Sequence, residues 1–355
     1  MHNTARALIN LAALRHNLGV VRMLCPRSRV MAMVKADAYG HGLLRVASAL
    51  STADGFAVAR LSEALALRKA GVEQRILLLG TLLDVPDLAL CSEQNIDVVA
   101  HDQFSVNLIV AQARRTPLRV WLKLDSGMHR LGLHPTAFVE ADQKLSRHTG
   151  VLELVHMTHF SDACNQDIIE KQMSYFFRYH MMSSQAPVSI ANSAALIART
   201  DTHCDWVRPG IMLYGDDPVG VGSAISLLPA MTLSAHLIAI REIGPGESVG
   251  YNARWTSPRV SRIGTVGVGY GDGYPRHARN GTPVWIDGHL ASLVGQVSMD
   301  SLTVDLTECP QIRLGDRAIL WGPQLPVATI ADSASTISYE LFTSIQPRVT
   351  RDYSD

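Results

Sequence analysis

Short apolar runs typical of buried strands alternate with amphipathic helical runs between residues 30 and 210. The eight strand-like runs are Val30–Lys35, Gly55–Ala59, Arg75–Leu79, Ile96–Ala100, Leu118–Leu124, Leu152–Met157, Val188–Asn192 and Trp206–Gly210. Apolar residues recur at helical spacing in Ser62–Ala70, Val85–Glu93, Gln103–Arg114, Thr136–Arg147 and Asp167–Met182. This part of the chain is therefore predicted to be an α/β structure.

Strict strand-helix alternation predicts a parallel sheet whose strands are connected by helices. Eight such units in about 225 residues fit a (β/α)8 barrel of the TIM type, which usually has about 250 residues. An open doubly wound sheet is the alternative, although such a sheet seldom needs eight consecutive parallel strands.

The pattern changes at about residue 228 to short alternating or β-branched runs separated by glycine and proline. These runs are Thr232–Arg241, Arg262–Val268, Thr282–Ile286, Leu290–Val297, Leu302–Leu306 and Arg317–Leu320. A helical patch near Ile330–Phe342 precedes the tail. We therefore expect two domains, a barrel over residues 1–227 and a smaller, mainly β domain over residues 228–355.

Charge and cysteine usage narrow the class of protein. Lysine plus arginine and aspartate plus glutamate both number 32, so the formal net charge is zero and nothing favours nucleic acid or an anionic membrane as a partner. The five cysteines form no Cys-x-x-Cys pair, which predicts reduced thiols and no metal site. We find no signal peptide in residues 1–6 and no apolar stretch of membrane-spanning length, so we expect a cytoplasmic protein.

Lys35 is the most unusual residue of the predicted barrel. In the alternation of its strand, Lys35 shares an apolar face with Met31 and Met33, and Gly40 and Gly42 then turn the chain. Burial lowers the pKa of an amine and makes it a nucleophile that can form a Schiff base. A structural lysine paired with a carboxylate is an equally good interpretation of this residue alone.

Polar residues follow several other predicted strands, at the end where barrel enzymes place their chemistry. They are Lys123 near the end of the fifth strand, Asp125 and Arg130 after it, His159 after the sixth, Ser193 after the seventh, and Arg208 and Gly210 in the eighth. Each has a structural alternative: an ion pair, a core histidine, a helix N-cap or a structural clamp. Their coincidence at one mouth of the barrel favours a functional site.

Two further motifs lie in the second domain. The stretch 267–274 packs four glycines around Tyr270 and Tyr274, which suggests that Tyr270 is held where another surface approaches closely. A glycine-rich hairpin with an exposed tyrosine is the simpler interpretation. Met299-Asp300 is a weak motif by itself.

Together these stretches resemble the alanine racemases, which are fold-type III pyridoxal-phosphate enzymes. The resemblance covers nearly the whole chain and lies in the motifs 34–42 around Lys35, 124–132 around Arg130, Arg208-Pro209-Gly210-Ile211, 269–273 around Tyr270, and Met299-Asp300. It implies racemisation of alanine, supplying D-alanine for peptidoglycan or catabolising it.

The resemblance also implies a set of cofactor contacts. Lys35 would bind pyridoxal 5′-phosphate as a Schiff base, and Arg208 would face the pyridine nitrogen. The phosphate would be held by Tyr39, Ser193, and the backbone amides of Gly210 and Ile211, groups suited to a dianion. Because a guanidinium keeps its proton, the pyridine nitrogen would stay unprotonated, which favours proton exchange over side reactions.

Racemisation needs an acid-base group on each face of the substrate. By the resemblance, Lys35 would serve the D-enantiomer, and Tyr270 from the other subunit of a homodimer would serve the L-enantiomer. A phenol has an ordinary pKa of about 10 and needs a neighbour that favours its anion, for which His159, backed by Arg208, is the candidate.

The substrate carboxylate would be bound by Arg130, with Met299 of the partner subunit nearby. Lys123 is often carbamylated in this family, which would convert a cation beside Arg130 into an anion that orients it.

The sequence departs from the family pattern in two places. Relatives place a tyrosine near the C-terminus on the phosphate, and whether Tyr353 takes that role is open. Residues 161–164, Ser-Asp-Ala-Cys, differ from the acidic pattern expected at the entrance.

Three other functions are compatible with parts of this sequence. A decarboxylase of the same fold type would place a carboxylate, not Arg208, at the pyridine nitrogen. A non-catalytic pyridoxal-phosphate carrier would need neither Tyr270 nor a second domain. A serine or broad-specificity racemase is harder to exclude, because one small group changes pocket binding by only about 1–3 kcal/mol.

Overall fold

The computed structural model describes residues 5–220 and 225–355, and the first part is a closed parallel barrel. Its strands are β2 (Arg29–Met33), β3 (Gly55–Val58), β4 (Arg75–Leu78), β5 (Ile96–Ala100), β6 (Leu118–Lys123), β7 (Val151–Met157), β8 (Val188–Ser189) and β9 (Trp206–Val207). Pairing of β2 with β9 closes the ring. The predicted (β/α)8 barrel is confirmed, and the open sheet is excluded.

The helices cover the outside of the barrel. They are α1 (Leu11–Leu24), α3 (Leu43–Ala49), α4 (Leu61–Lys69), α5 (Val85–Glu93), α6 (Gln103–Gln112), α7 (Pro135–Leu145), α8 (Gln166–His180) and α9 (Ser193–Ala198), with a one-turn element, α2 (Lys35–Tyr39), before α3. The five predicted helices agree with α4 to α8 within two residues at each end. Several helices begin at an N-cap side chain that accepts a backbone N–H of the first turn. Asp84, Asp102 and Asn165 do this for α5, α6 and α8.

A cluster of charged and aromatic side chains fills the barrel at the end where the strands begin. Arg75 lies 2.6 Å from Asp97 and 2.9 Å from Glu153, and its guanidinium lies over the ring of Trp206. The indole Nε1 of Trp121 donates to Asp97 at 3.0 Å. The buried charges at this end are therefore neutralised within the protein.

The second domain is an eight-stranded sheet in the order β13-β16-β15-β14-β17-β10-β1-β18, and β10 also pairs with β13. The strands are β1 (Ala5–Asn10), β10 (Met231–Ile243), β13 (Ser261–Val266), β14 (Pro283–Ile286), β15 (His289–Leu293), β16 (Leu302–Asp305), β17 (Arg317–Trp321) and β18 (Thr350–Ser354), with a small pair, β11 (Ser248–Val249) and β12 (Trp255–Thr256). All six predicted strand runs of this part lie on observed strands.

The two ends of the chain depart from the predicted division at residue 227. Residues 5–10 form β1, which pairs antiparallel with β10 and parallel with β18, so they belong to the second sheet and not to the barrel. A six-residue strand carries no signal that identifies its partner, because pairing depends on residues more than 200 positions away. Residues 1–4 and 221–224, which were also assigned to the barrel, lie outside the described residues.

The predicted helical patch at Ile330–Phe342 is two helices, α10 (Val327–Ser333) and α11 (Ser338–Thr343). Ser335 between them has a φ of 52°, which ends the first helix. Within residues 5–220 and 225–355, no helix combines the length and apolar character that crossing a membrane requires.

The neutralised cluster in the barrel predicts a large loss of stability on removing one partner. Asp97 has a side chain only 1% exposed. Asp97→Ala removes one of the two carboxylates that pair with Arg75 and the acceptor of the Trp121 N–H, so it should lower the free energy of unfolding by about 3–5 kcal/mol. Denaturant unfolding measures this. Asp201→Ala is the control, because Asp201 pairs with Arg199 at the surface and its loss should cost less than about 1 kcal/mol. Equal losses in the two variants would contradict the assignment.

Candidate active site

A cavity of about 460 Å³ opens at the end of the barrel where the strands finish. Eight residues that the sequence singled out line it: Lys35, Tyr39, Lys123, Arg130, His159, Ser193, Arg208 and Gly210. Ile211 is fully buried directly behind Gly210. Tyr270 and Met299 do not line this cavity.

Lys35 enters the cavity on a left-handed turn. Strand β2 ends at Met33, and the backbone from Ala36 to Tyr39 has φ near 53° at each residue. Left-handed backbone costs about 1–2 kcal/mol for each non-glycine residue, so the surrounding structure must stabilise it. The Asp37 carboxylate does so in part by accepting the Leu43 N–H at 2.7 Å.

Positive charge dominates the cavity. Among the described residues that line it there is no aspartate or glutamate. Burial lowers the pKa of Lys35, and nearby Arg130 lowers it further, whereas Glu63 opposes them. Burial, with Arg208 and Arg130 beside it, lowers the pKa of Lys123 to about 8. The cavity therefore favours an anionic ligand and holds two amines that lose protons more readily than exposed lysines.

Arg208 is held by neutral acceptors. It is 4% exposed; its Nη1 donates to the Ser189 carbonyl and hydroxyl, both at 2.7 Å, and its Nη2 donates to the Thr158 carbonyl at 2.6 Å. Burial lowers the pKa of Arg208 to about 10. Because no carboxylate contacts it through these bonds, its charge remains available to a ligand in the cavity.

His159 stays neutral in this setting. Burial lowers its pKa well below the ordinary range, and Arg208 and Lys123 add to that effect. Its Nδ1 faces Nη2 of Arg208 at 3.5 Å, and since a guanidinium only donates, the ring proton belongs on Nε2. His159 can therefore donate a hydrogen bond from Nε2 but is not a source of positive charge.

Ser193 is free for ligand binding because another residue caps its helix. The N-cap of α9 is Asn192, whose side chain accepts from the Ala195 N–H, so the alternative that Ser193 is only a cap is wrong. The Ser193 hydroxyl instead accepts the Gly210 N–H at 2.8 Å. A Cβ on Gly210 would lie 2.5 Å from the Tyr39 hydroxyl, so glycine lets these donors converge.

A tyrosine from the second domain completes the cavity wall. Tyr339 on α11 lines the cavity, and its ring centroid lies 5.8 Å from that of Tyr39. Burial, with Asp216 nearby, raises the pKa of Tyr339 to about 12. Tyr353 lies elsewhere, on β18, where its hydroxyl donates to the His41 carbonyl behind the Lys35 turn. Tyr353 is the tyrosine near the C-terminus that the sequence brings into question, whereas Tyr339, which carries no local motif, is the one that lines the cavity.

Tyr270 and Met299 lie together on an exposed surface of the second domain. Their exposed fractions are 38% and 54%. The Tyr270 N–H donates to the Ser298 carbonyl at 3.0 Å, and Arg348 bridges Asp272 and Asp300 beside them, at 2.7 Å each. Two motifs separated along the chain thus form one patch outside the cavity of their own subunit.

Tyr251 is a further exposed tyrosine of this domain, and it is not among the residues predicted from the sequence. It is 66% exposed and is followed by Asn252 and Ala253 with φ of 61° and 46°. Strained backbone at non-glycine residues is concentrated at functional sites. The glycine before Tyr251 in the sequence was the available signal.

Comparisons with known proteins agree with this architecture. The family model described as alanine racemase, N-terminal domain, matches residues 9–218, and that of the alanine racemase C-terminal domain matches residues 230–353. Alanine racemase of Shewanella amazonensis is 46% identical over 97% of both chains, and that of Chromohalobacter salexigens is 47% identical over 97% of this chain and 96% of its own. The biosynthetic alanine racemase of Pseudomonas aeruginosa, a solved structure, superposes with a TM-score of 0.96 at 44% identity and complete coverage of both chains.

The left-handed turn beside Lys35 predicts an unusual response to glycine. Ala36→Gly relieves a left-handed strain and should raise the free energy of unfolding by up to about 1 kcal/mol. Ala66→Gly, within right-handed α4, should instead lower it by about 1 kcal/mol. Denaturant unfolding of both variants makes the comparison. A loss in Ala36→Gly as large as in Ala66→Gly would show that the turn is not strained.

Proposed function

The chain belongs to the alanine racemase family, and from this membership we propose that it interconverts L-alanine and D-alanine with pyridoxal 5′-phosphate in the barrel cavity. The observation that carries the proposal is the half-buried Lys35 amine, with its lowered pKa, in a cavity lined by cations and hydroxyl donors. A lysine in such a place suits a carbonyl cofactor, and the cations suit its phosphate and the substrate carboxylate.

The residues present fit the cofactor. The Tyr39 hydroxyl lies close to Gly210, whose N–H the Ser193 hydroxyl accepts. We propose that these groups, together with the Ile211 amide, bind the phosphate dianion. Lys35 would hold the aldehyde carbon, and Arg208 would face the ring nitrogen. When bound, the cofactor supplies an electron-withdrawing ring that acidifies the substrate Cα–H bond.

Lys35 is the proposed base for D-alanine. Burial and Arg130 disfavour its protonated form, so the amine can take the Cα proton from the face on which it lies and return one to the same face. Arg130 would bind the substrate carboxylate and so fix which hydrogen faces Lys35.

The base for L-alanine must approach from the opposite face, and we propose that it is a tyrosine of a second subunit. Tyr270 was the candidate from sequence. Tyr251 is the stronger candidate on structural grounds, because its phenol is more exposed and stands on a strained loop. The Nε2–H of His159 can donate to a phenolate oxygen, which stabilises the anion without a positive ring.

We propose a homodimer with shared sites, which the same observations support. Tyr251, Tyr270 and Met299 are exposed on the second domain. Leu82, in the loop after β4, and Phe104, in the first turn of α6, are exposed at the open end of the barrel. Large apolar side chains exposed at both places support a twofold contact that joins one subunit's second domain to the other's cavity. We also propose a cytoplasmic location, which the five free thiols support.

We propose that the neutral amine of Lys123 adds to carbon dioxide, forming an N–C bond and releasing one N–H proton to solvent, to give a carbamate. Its lowered pKa makes the neutral, reactive amine available near physiological pH. The resulting anion would lie among Arg208, Arg130 and Lys35 and would replace mutual repulsion by attraction.

Substitution of the two bases tests the mechanism. Lys35→Ala should abolish racemisation and the visible absorbance of the lysine-bound cofactor. Tyr251→Phe should keep that absorbance and lower racemisation by about 100-fold or more, the usual contribution of a general base. D-alanine should still exchange its α-hydrogen with deuterated water in Tyr251→Phe, without inversion, because Lys35 remains.

Tyr270→Phe is the matched control for the second base. We expect it to retain inversion to a much greater degree than Tyr251→Phe. The reverse result would assign the base to Tyr270, and wild-type rates in both variants would overturn the two-base mechanism.

The pKa of Lys123 gives a stability prediction with a definite sign. Since the folded-state pKa is about 8 and the ordinary value is 10.5, the cost of the buried cation is complete below pH 8 and is lost as pH rises toward 10.5. Without carbon dioxide, Lys123→Met should therefore stabilise the protein at pH 7, on the order of 3 kcal/mol, and less at higher pH.

Addition of bicarbonate distinguishes the carbamate of Lys123 from its free amine. The wild type should gain the mass of one carbon dioxide and a higher Tm in bicarbonate, and Lys123→Met should gain neither. Absence of the mass gain in native mass spectrometry would rule out the carbamate.

A further inference from the structure

Gln172, in the middle of α8, contacts two loops of the candidate active site from behind. It is 3% exposed. Its Oε1 accepts from the Ser161 N–H at 3.0 Å and from the Ser161 hydroxyl at 3.1 Å, and its Nε2 donates to the Ser126 hydroxyl at 3.4 Å. Because a backbone N–H only donates, the atom facing it must be the amide oxygen, which fixes the orientation of the Gln172 amide.

The hydrogen bonds beyond Ser126 have a single consistent direction. The Thr158 hydroxyl donates to the Leu124 carbonyl at 2.9 Å, so it has no proton left for Ser126. The Ser126 hydroxyl must therefore donate to Thr158 at 2.8 Å, and it accepts from Gln172. Such an ordered chain of buried bonds is stronger than its separate members and depends on the amide at its start.

The two loops that Gln172 joins carry residues assigned to the reaction. Ser126 belongs to the loop after β6 that continues to Arg130, and Ser161 follows His159 in the loop after β7. The Thr158 carbonyl also accepts a hydrogen bond from Nη2 of Arg208. Gly127 packs against the Gln172 side chain, since a Cβ there would lie 3.6 Å from its Cγ.

We propose that Gln172 is a positioning residue that locks together the loops carrying Arg130 and His159, and so sets the geometry of the substrate carboxylate site. This inference rests on the proposed role of Arg130. Gln172 touches neither the cavity nor the substrate, and it acts through Ser126 and Ser161.

Gln172→Met tests the lock, because methionine has a similar length and removes both the amide donor and the amide acceptor. We expect the KM for alanine to rise about five- to tenfold while kcat stays within about threefold. The reason is that a displaced Arg130 would bind the carboxylate less well in the substrate and in the transition state alike. The affinity for propionate, which has the carboxylate of alanine without its amine, should fall by the same factor in spectral titration of the holoenzyme.

Two further variants separate positioning from folding. Gln166→Met, on the exposed first turn of the same helix, is the matched control and should stay within about twofold of wild type in KM and propionate affinity. Ser126→Ala breaks the same chain, so its effect combined with Gln172→Met should be no larger than that of Gln172→Met alone. If Gln172→Met is recovered only as aggregate, Ser126→Ala decides the question by its propionate affinity.

Arg130→Ala distinguishes failure of this inference from failure of the proposed function. Weakened propionate binding in Arg130→Ala with unchanged binding in Gln172→Met and Ser126→Ala overturns the positioning role alone, even if their Tm falls. Unchanged binding in Arg130→Ala overturns the carboxylate role of Arg130, and the positioning role falls with it.

Discussion

Positive charge gathered around one cavity, with no carboxylate among the described residues that line it, is the constraint on which the candidate site depends. Lys35, Lys123, Arg130 and Arg208 surround one cavity, and no acidic residue among its described lining neutralises them. Arg208 is bound through carbonyl and hydroxyl oxygens, which orient a guanidinium but leave its charge uncompensated. Burial first, and repulsion between the cations second, lowers the pKa values of Lys35 and Lys123, and an anionic ligand would relieve that repulsion.

The two ends of the barrel show opposite treatments of charge. At the end where the strands begin, Arg75 is paired with Asp97 and Glu153, so that end is neutral without a ligand and contributes stability. At the other end no aspartate or glutamate among the described residues lines the cavity, and the backbone that follows Lys35 is left-handed. Barrel enzymes in general separate stability from chemistry along the barrel axis in this way.

The second domain contributes to the first at both sequence ends. Strands β1 and β18 pair with each other, and Tyr353 on β18 supports the turn that presents Lys35. Tyr339 enters the cavity wall from α11. The cavity is thus built by both domains of one subunit, while Tyr251, Tyr270 and Met299 are exposed and do not line it. Their exposure is the basis for proposing a second subunit as the remaining wall.

The sequence by itself determined the barrel, the change to a β domain near residue 228, and the residues that meet at the barrel mouth. The spacing of apolar residues is a local property of the chain, and it reveals the strands and their order. In a closed parallel barrel the carboxyl ends of all strands lie at the same mouth, so residues at those ends come together. Tertiary structure alone decided the partner of β1, the left-handed turn at Ala36–Tyr39, and the choice of Tyr339 over Tyr353 for the cavity. The exposure of Tyr251 and the left-handed backbone that follows it are likewise visible only in the tertiary structure. These features depend on contacts between segments hundreds of residues apart, or on backbone strain that such contacts stabilise, and neither leaves a periodic signal in the chain.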